Sequence, residues 1–213
     1  MSNVVQITRS TLIAFCSDFL TRPYLCYTEH GLHALFFARL YNELAPEDRY
    51  SKLHDQEFCV VQKEYPTAGN FGRSRRQHWD ISVIRQPVVP LDRTSAFDYL
   101  PLAAVVEFGL NCDSNDLVDD IQRLSHHESN VQNGFIVHLY RLSNSNEKFS
   151  GRDLSPDTTI LFDKKSVQTV LQGYTEPPSL EVLYGIADMT KSYKSGLWSI
   201  TRQGVHEIGP DLT

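Results

Sequence analysis

The sequence predicts an α/β fold in which a mixed central sheet is flanked by helices, with an α+β extension at its C-terminal end. Three features carry that expectation. Apolar residues recur at a helical spacing up to residue 44, short β-branched and aromatic runs begin at 57, and an amphipathic helix lies between two strands over 101–143. A strand, a helix and a second strand form a crossover, which brings the two strands into one sheet and parallel.

The elements follow in order. "TRSTLIAFCSDFL" (8–20) offers Ser10 or Thr11 as a cap ahead of Leu12, Ile13, Phe15, Cys16, Phe19 and Leu20, and ends near Pro23. "TEHGLHALFFARLYNEL" (28–44) is a second helix, with Thr28 as cap and Leu32, Leu35, Phe36, Leu40 and Leu44 on one face. Strands are expected over 57–65, 78–86 and 101–110, separated by the turn segments "PTAGNFGRS" and "PVVPLDRTSAFDY". A helix over 114–128, capped by Ser114 or Asn115, presents Leu117, Val118, Ile121 and Leu124; the strand after it, 133–143, is apolar enough to be central. Further on come a strand at "TTILFDKK" (158–165), a helix at "KSVQTVLQGY" (165–174) and two or three short strands over 179–209.

A chain of 213 residues that is 41% apolar and 22% charged can bury one sizeable core, and no repeat, low-complexity tract or linker divides it, so residues 1–213 read as one domain. Its net charge of -6 repels polyanions, which restricts any nucleic-acid contact to a local basic patch. Cys16, Cys26, Cys59 and Cys112 lack both C-x-x-C spacing and a histidine at ligand spacing; reduced thiols in a cytoplasmic protein are expected. No secretory leader and no apolar run of membrane-spanning length is visible, so no membrane partner is expected. The phosphate-binding pattern G-x-x-x-x-G-K-[ST], the dinucleotide pattern G-x-G-x-x-G and the nucleophile elbow G-x-S-x-G are absent. His126 and His127 beside Glu128 have no further partner at metal spacing.

Three acidic residues stand out in this frame. Glu29 opens the second helix, Asp80 lies inside "HWDISVI", and Glu107 ends the apolar run "AAVVE". A carboxylate within a buried strand is costly unless it is paired or bound to metal. Two of them on neighbouring strands point to a divalent cation such as Mg²⁺ or Mn²⁺, which takes oxygen ligands, lowers the pKa of a bound water and neutralises phosphate charge. Glu107, Gly109 and Asn111 share one face of their strand, while Phe108 and Leu110 take the other.

Helix with Glu, strand, strand with Asp, strand with Glu, amphipathic helix, strand: this order over 28–142 resembles the core of the PD-(D/E)XK, or restriction-endonuclease-like, nuclease superfamily. The resemblance implies a restriction-endonuclease-like core followed by the extension at 143–213. It further implies a metal-dependent nuclease acting on DNA or RNA, with metal held by Asp80 and Glu107 and completed by Glu29. The motif lysine, which would activate water, falls on Gly109. Either the lysine's role has moved, with Lys63 in "VVQKEY" as the nearest candidate and Gln122 or Arg123 on the following helix also able to point back, or the fold persists as a non-catalytic subunit that binds nucleic acid or a protein partner.

Each residue also admits a structural reading. Glu29 suits the first turn of any helix, Asp80 could pair with Arg73, Arg75 or Arg76, and Glu107 could cap the next helix or pair with His78 or Arg123. The loop "NFGRSRRQHWD" is the one concentrated basic stretch: Arg73, Arg75 and Arg76 would grip a phosphate backbone, or form a solvated hairpin tip. Phe71 and Trp79 could stack on a base or belong to the core. In the extension, Phe162, Tyr174, Leu183, Tyr184 and Trp198 suit either a partner surface, as in a homodimer or larger complex, or added core.

Overall fold

A computed structural model of the chain describes residues 3–86, 96–143, 153–155, 163–190 and 195–209. Among the described residues, four α-helices and a seven-stranded mixed sheet make an α/β/α sandwich. The helices are α1 (Asn3–Thr21), α2 (Glu29–Glu43), α3 (Ser114–Leu124) and α4 (Lys164–Gln172). The strands β3 (Val61–Pro66), β4 (His78–Ile84), β5 (Leu102–Leu110), β6 (Asn133–Leu142), β7 (Ser179–Asp188), β8 (Gly196–Thr201) and β9 (Gly204–Ile208) lie in the sheet in chain order, and β1 (Tyr50–Leu53) and β2 (Gln56–Cys59) form a separate hairpin. β3, β4 and β5 are an antiparallel meander; β5, β6 and β7 are parallel through the crossovers of α3 and α4; β8 and β9 return antiparallel.

Each face of the sheet buries its own core. Leu12, Phe15 and Phe19 of α1 and Leu32, Phe36 and Leu40 of α2 pack on Ile81, Val83, Val106, Phe108, Phe135, Val137 and Leu139. Leu117, Ile121 and Leu124 of α3, with Val167 and Leu171 of α4, pack on Val105, Ile136, Tyr140, Val182, Tyr184 and Ile200. All of β6 after Asn133 is buried, as its continuous apolar run predicts for a strand covered on both faces. Trp79, Leu183 and Tyr184 are core residues and Tyr174 and Trp198 pack against the core; Phe162 lies outside the described residues. No described helix is long and apolar enough to cross a membrane.

Several boundaries differ from the sequence expectation. α1 starts at Asn3, because Val5 and Thr8 extend the buried stripe upstream. Ser10 and Thr11 are interior residues; the Ser10 hydroxyl donates back to the Ile7 carbonyl at 3.0 Å, so a cap-forming residue type is satisfied inside the helix. The strand expected over 57–65 is two strands: Cys59 ends β2, Val61 begins β3, and β2 folds back on β1 through a turn in which His54 adopts φ 54°. Asp113 caps α3 in place of Ser114 or Asn115, its Oδ1 accepting from Asn115 N and Asp116 N at 2.7 and 3.2 Å while Asp116 Oδ2 accepts from Asp113 N at 3.1 Å. α3 ends at Leu124 rather than 128. Of "TTILFDKK", residues 158–162 lie outside the described set and Lys164 and Lys165 open α4.

Two ion pairs, one half-buried and one fully buried, tie the first layer to the sheet. Arg9 of α1 grips Glu181 of β7 with both ends of its guanidinium, at 2.7 and 2.8 Å. Arg141, fully buried at the end of β6, places Nε 3.6 Å from Asp153 Oδ1, donates from Nη2 to the Tyr27 carbonyl at 3.1 Å and stacks over Tyr24, fixing the turn that leads into α2. Arg141→Ala leaves Asp153 buried without its counter-charge and is expected to cost about 3–5 kcal/mol in urea unfolding, with part of the loss regained in the Arg141→Ala/Asp153→Asn double variant.

Candidate functional site

The site forms where β4 and β5 part. Their pairing runs from Ile84 opposite Leu102 to Ile81 opposite Val106 and stops there. Beyond it the β5 amides of Phe108 and Leu110 have no strand partner on that side, and two carboxylates take them: Asp80 Oδ2 accepts from Phe108 N at 2.8 Å and Glu29 Oε2 from Leu110 N at 3.1 Å. Thr28 caps α2 by accepting from Gly31 N at 3.1 Å, and this fixes Glu29 in the first turn, pointing at β5. Glu107, 2% exposed, turns to the other face of the sheet, where Arg123 of α3 meets its Oε2 at 3.1 Å. Its Oε1 is buried without a hydrogen-bond partner.

Arg123 is shared. Besides Glu107 it reaches Asp120 at 2.7 Å and Asp119 at 3.6 Å, and its guanidinium lies 5.6 Å from the centre of the Trp79 ring. One cation thus faces three carboxylates. Burial pushes the Glu107 carboxyl well above the usual range; Arg123 opposes this, while Asp80 and Asp120 add to it. Asp80 is pushed up to about 6, first by burial and further by Glu29, against the Phe108 amide that favours its charged form. Burial, with Glu29 next, raises the Cys112 thiol to about 12, so it is no nucleophile at neutral pH. The pair Asp80 and Glu107 holds a proton into mildly acidic solution, and a divalent cation would relieve the same repulsion.

Gly109 has a steric cause. It pairs across the parallel ladder with His138, and a Cβ at 109 would stand 2.6 Å from His138 Nε2. The ring occupies the volume that a side chain at 109 would need, with Nε2 3.3 Å from Asp120 Oδ2 and Nδ1 3.3 Å from the Tyr140 hydroxyl. Of the three candidates to replace the motif lysine, the neutral Gln122 is exposed, Arg123 points back to Glu107, and Lys63 lies on the α2 side, its Nζ 3.2 Å from Glu64 Oε1. The Lys63 charge is nevertheless felt at His33: burial and then Lys63 lower that imidazole to about 4. His33 is buried in α2, and its Nε2 is 3.4 Å from Asp80 Oδ2.

The arginine loop lies over α3. Arg73 forms an ion pair with Asp119, Arg76 donates to the Thr67 carbonyl at 2.6 Å and stacks over Tyr99, and Arg75 is exposed. None of the three pairs with Asp80. Phe71 packs on Trp79 and His126. An opening of about 390 Å³, lined by Thr28, Glu29, His30, Leu110, Asn111 and Arg141, lies instead at the C-terminal end of β5, the end at which open α/β sheets place their ligands.

His33, Asp120 and His138 were not expected from sequence. For His33 a signal exists, since "EHGLH" sets two histidines three apart on one helix. His138 carries none, because its position over Gly109 follows from strand register. Comparison with protein-family models, with curated proteins and with solved structures finds no match.

Two outcomes are expected. Gly109→Ala forces the His138 ring to move and should cost about 1–3 kcal/mol in urea unfolding, a penalty that vanishes on a His138→Ala background. The folded Asp80 carboxyl, raised from 3.8 to about 6, binds its proton more tightly than the unfolded one, so its contribution falls as pH rises through that window. Asp80→Asn should therefore match the wild type in stability near pH 4 and gain over it above pH 6, by up to about 3 kcal/mol.

Proposed function

We propose that the chain is a metal-dependent phosphodiester hydrolase, a nuclease acting on DNA or RNA with a restriction-endonuclease-like core. The observation that carries this reading is that Asp80 of β4, at the parting of two strands, is neighbour to both Glu29 of α2 and Glu107 of β5, and that Glu29 lines an opening to solvent. The element order from α2 to β6, a helix, an antiparallel meander and a parallel crossover, supports it as well. The donor set suits Mg²⁺ or Mn²⁺: all the ligands are carboxylate oxygens, and Glu107 Oε1 is buried with no partner of its own.

When bound, such an ion would lower the pKa of a water and neutralise charge on the phosphate. The chain supplies the placement. The β5 amides hold Asp80 and Glu29 in one orientation, and Arg123 holds Glu107 by one oxygen and leaves the other available. Lys63, on the His33 side of Asp80, is the cation assigned to orient the attacking water, and the Arg73, Arg75 and Arg76 loop is assigned to the nucleic-acid backbone at the α3 face.

One observation favours a second reading, a nuclease-fold subunit that binds nucleic acid or a protein without cutting: His138 fills the place of the motif lysine and Arg123 is tied to three carboxylates. Cleavage of labelled single- and double-stranded DNA and RNA separates the two. Activity that requires Mg²⁺ or Mn²⁺ is expected to fall at least 100-fold in Asp80→Asn and in Glu107→Gln, and to fall in kcat in Lys63→Ala. Absence of metal-dependent cleavage by folded wild-type protein, on all four substrates, selects the second reading.

A further inference from the structure

A second group of side chains of a metal-ligating type lies on the α2 face, beyond Asp80 and away from Glu107, which faces α3. His30 and His33 are three apart on α2, and Glu64 reaches them from β3; one donor atom from each lies within 4.8 Å of the others. The fold brings them together through a local departure from the strand. Glu64 takes φ 55° within β3, where a left-handed backbone is rare for a residue other than glycine, and Lys63 and Tyr65 on either side of it serve opposite faces of the sheet.

His33 is the second, independent observation. It is 1% exposed, and neither Nδ1 nor Nε2 makes a hydrogen bond. A buried imidazole normally has a partner for at least one nitrogen. The ring packs edge-on to His30, with ring centres 5.5 Å apart, and against Phe108, so it is held in place without being satisfied. Asp80 Oδ2, 3.4 Å from Nε2, is in position to be the carboxylate that orients a metal-bound histidine.

We propose that His30, His33 and Glu64 bind a borderline divalent cation of the Zn²⁺ class. Two imidazoles and a carboxylate are a donor set that such ions prefer, with a fourth position left to water, whereas Mg²⁺ prefers oxygen alone. The exposed His30 and Glu64 give the ion a path from solvent, and Glu64 would exchange its present partner, Lys63 Nζ at 3.2 Å, for the ion. The site goes beyond the proposed phosphodiesterase centre and has its own ligands, because Glu29, Asp80 and Glu107 donate nothing to this ion; Asp80 touches it only through His33.

The test is titration of tag-free, metal-free protein with Co²⁺, followed by its visible d–d absorption, and with Zn²⁺ by calorimetry. One equivalent is expected to bind with nitrogen-ligated Co²⁺ bands. Affinity should fall at least tenfold in His30→Ala and in Glu64→Gln, both at exposed positions, and stay within twofold in Glu107→Gln; unfolding of the metal-free variants checks that the fold is intact. No binding by the wild type, or binding unchanged in His30→Ala and Glu64→Gln, overturns the site. Binding lost only in Glu107→Gln overturns it too, while leaving the carboxylate centre standing; conversely, loss of Mn²⁺-dependent cleavage alone leaves this site intact.

Discussion

Two backbone amides organise the centre of this molecule. A strand running alongside β5 past Val106 would have paired the N–H groups of Phe108 and Leu110; β4 turns away instead. Buried N–H groups must find acceptors, and here they find the carboxylates of Asp80 and Glu29. The charges that look costly in the sequence are thus the solution to a sheet that splits. Because Glu29 belongs to the first turn of α2, the same bond sets the position of that helix over β5, and with it the packing of Phe36 against Phe108.

On the opposite face Arg123 plays a comparable part with the sign reversed. It is half surrounded by Glu107, Asp119 and Asp120, and burial works against its charge while those carboxylates hold it in place. Burial is the first reason that Glu107 and Asp80 are raised, and for Glu107 the opposing charge of Arg123, shared with Asp119 and Asp120, does not cancel it. An arrangement that is electrostatically unsettled without an added ion is also one that an ion can settle. That connection, rather than the presence of acidic residues as such, gives the cluster its chemical interest.

The sequence showed those parts of the fold whose signal is periodic. α2, β4, β5, α3 and β6 were all legible from spacing, Asp80 and Glu107 from being charges in apolar surroundings, and Glu29 from its place at the start of α2. The β1–β2 hairpin was not, because its turn uses His54 in a left-handed conformation and its strands are largely exposed, so neither glycine nor alternation announces it. The start of α1 was hidden because Ser10 and Thr11 imitate a cap. Gly109 was visible as an anomaly but not as an explanation: His138 is 29 positions away in the chain and meets it only through the register of a parallel pair.

The left-handed residue in β3 also bears on how the protein behaves toward copies of itself. β3 and β9 are the two outer strands of the sheet, and an outer strand with regular, unpaired N–H and C=O groups is a template for aggregation. β3 is interrupted at Glu64 and ends at Pro66, which has no N–H to offer. β9 is five residues long and carries His206 and Glu207 exposed to water. Both margins are poor docking sites for an added strand, so the seven-stranded sheet is protected from edge-to-edge growth.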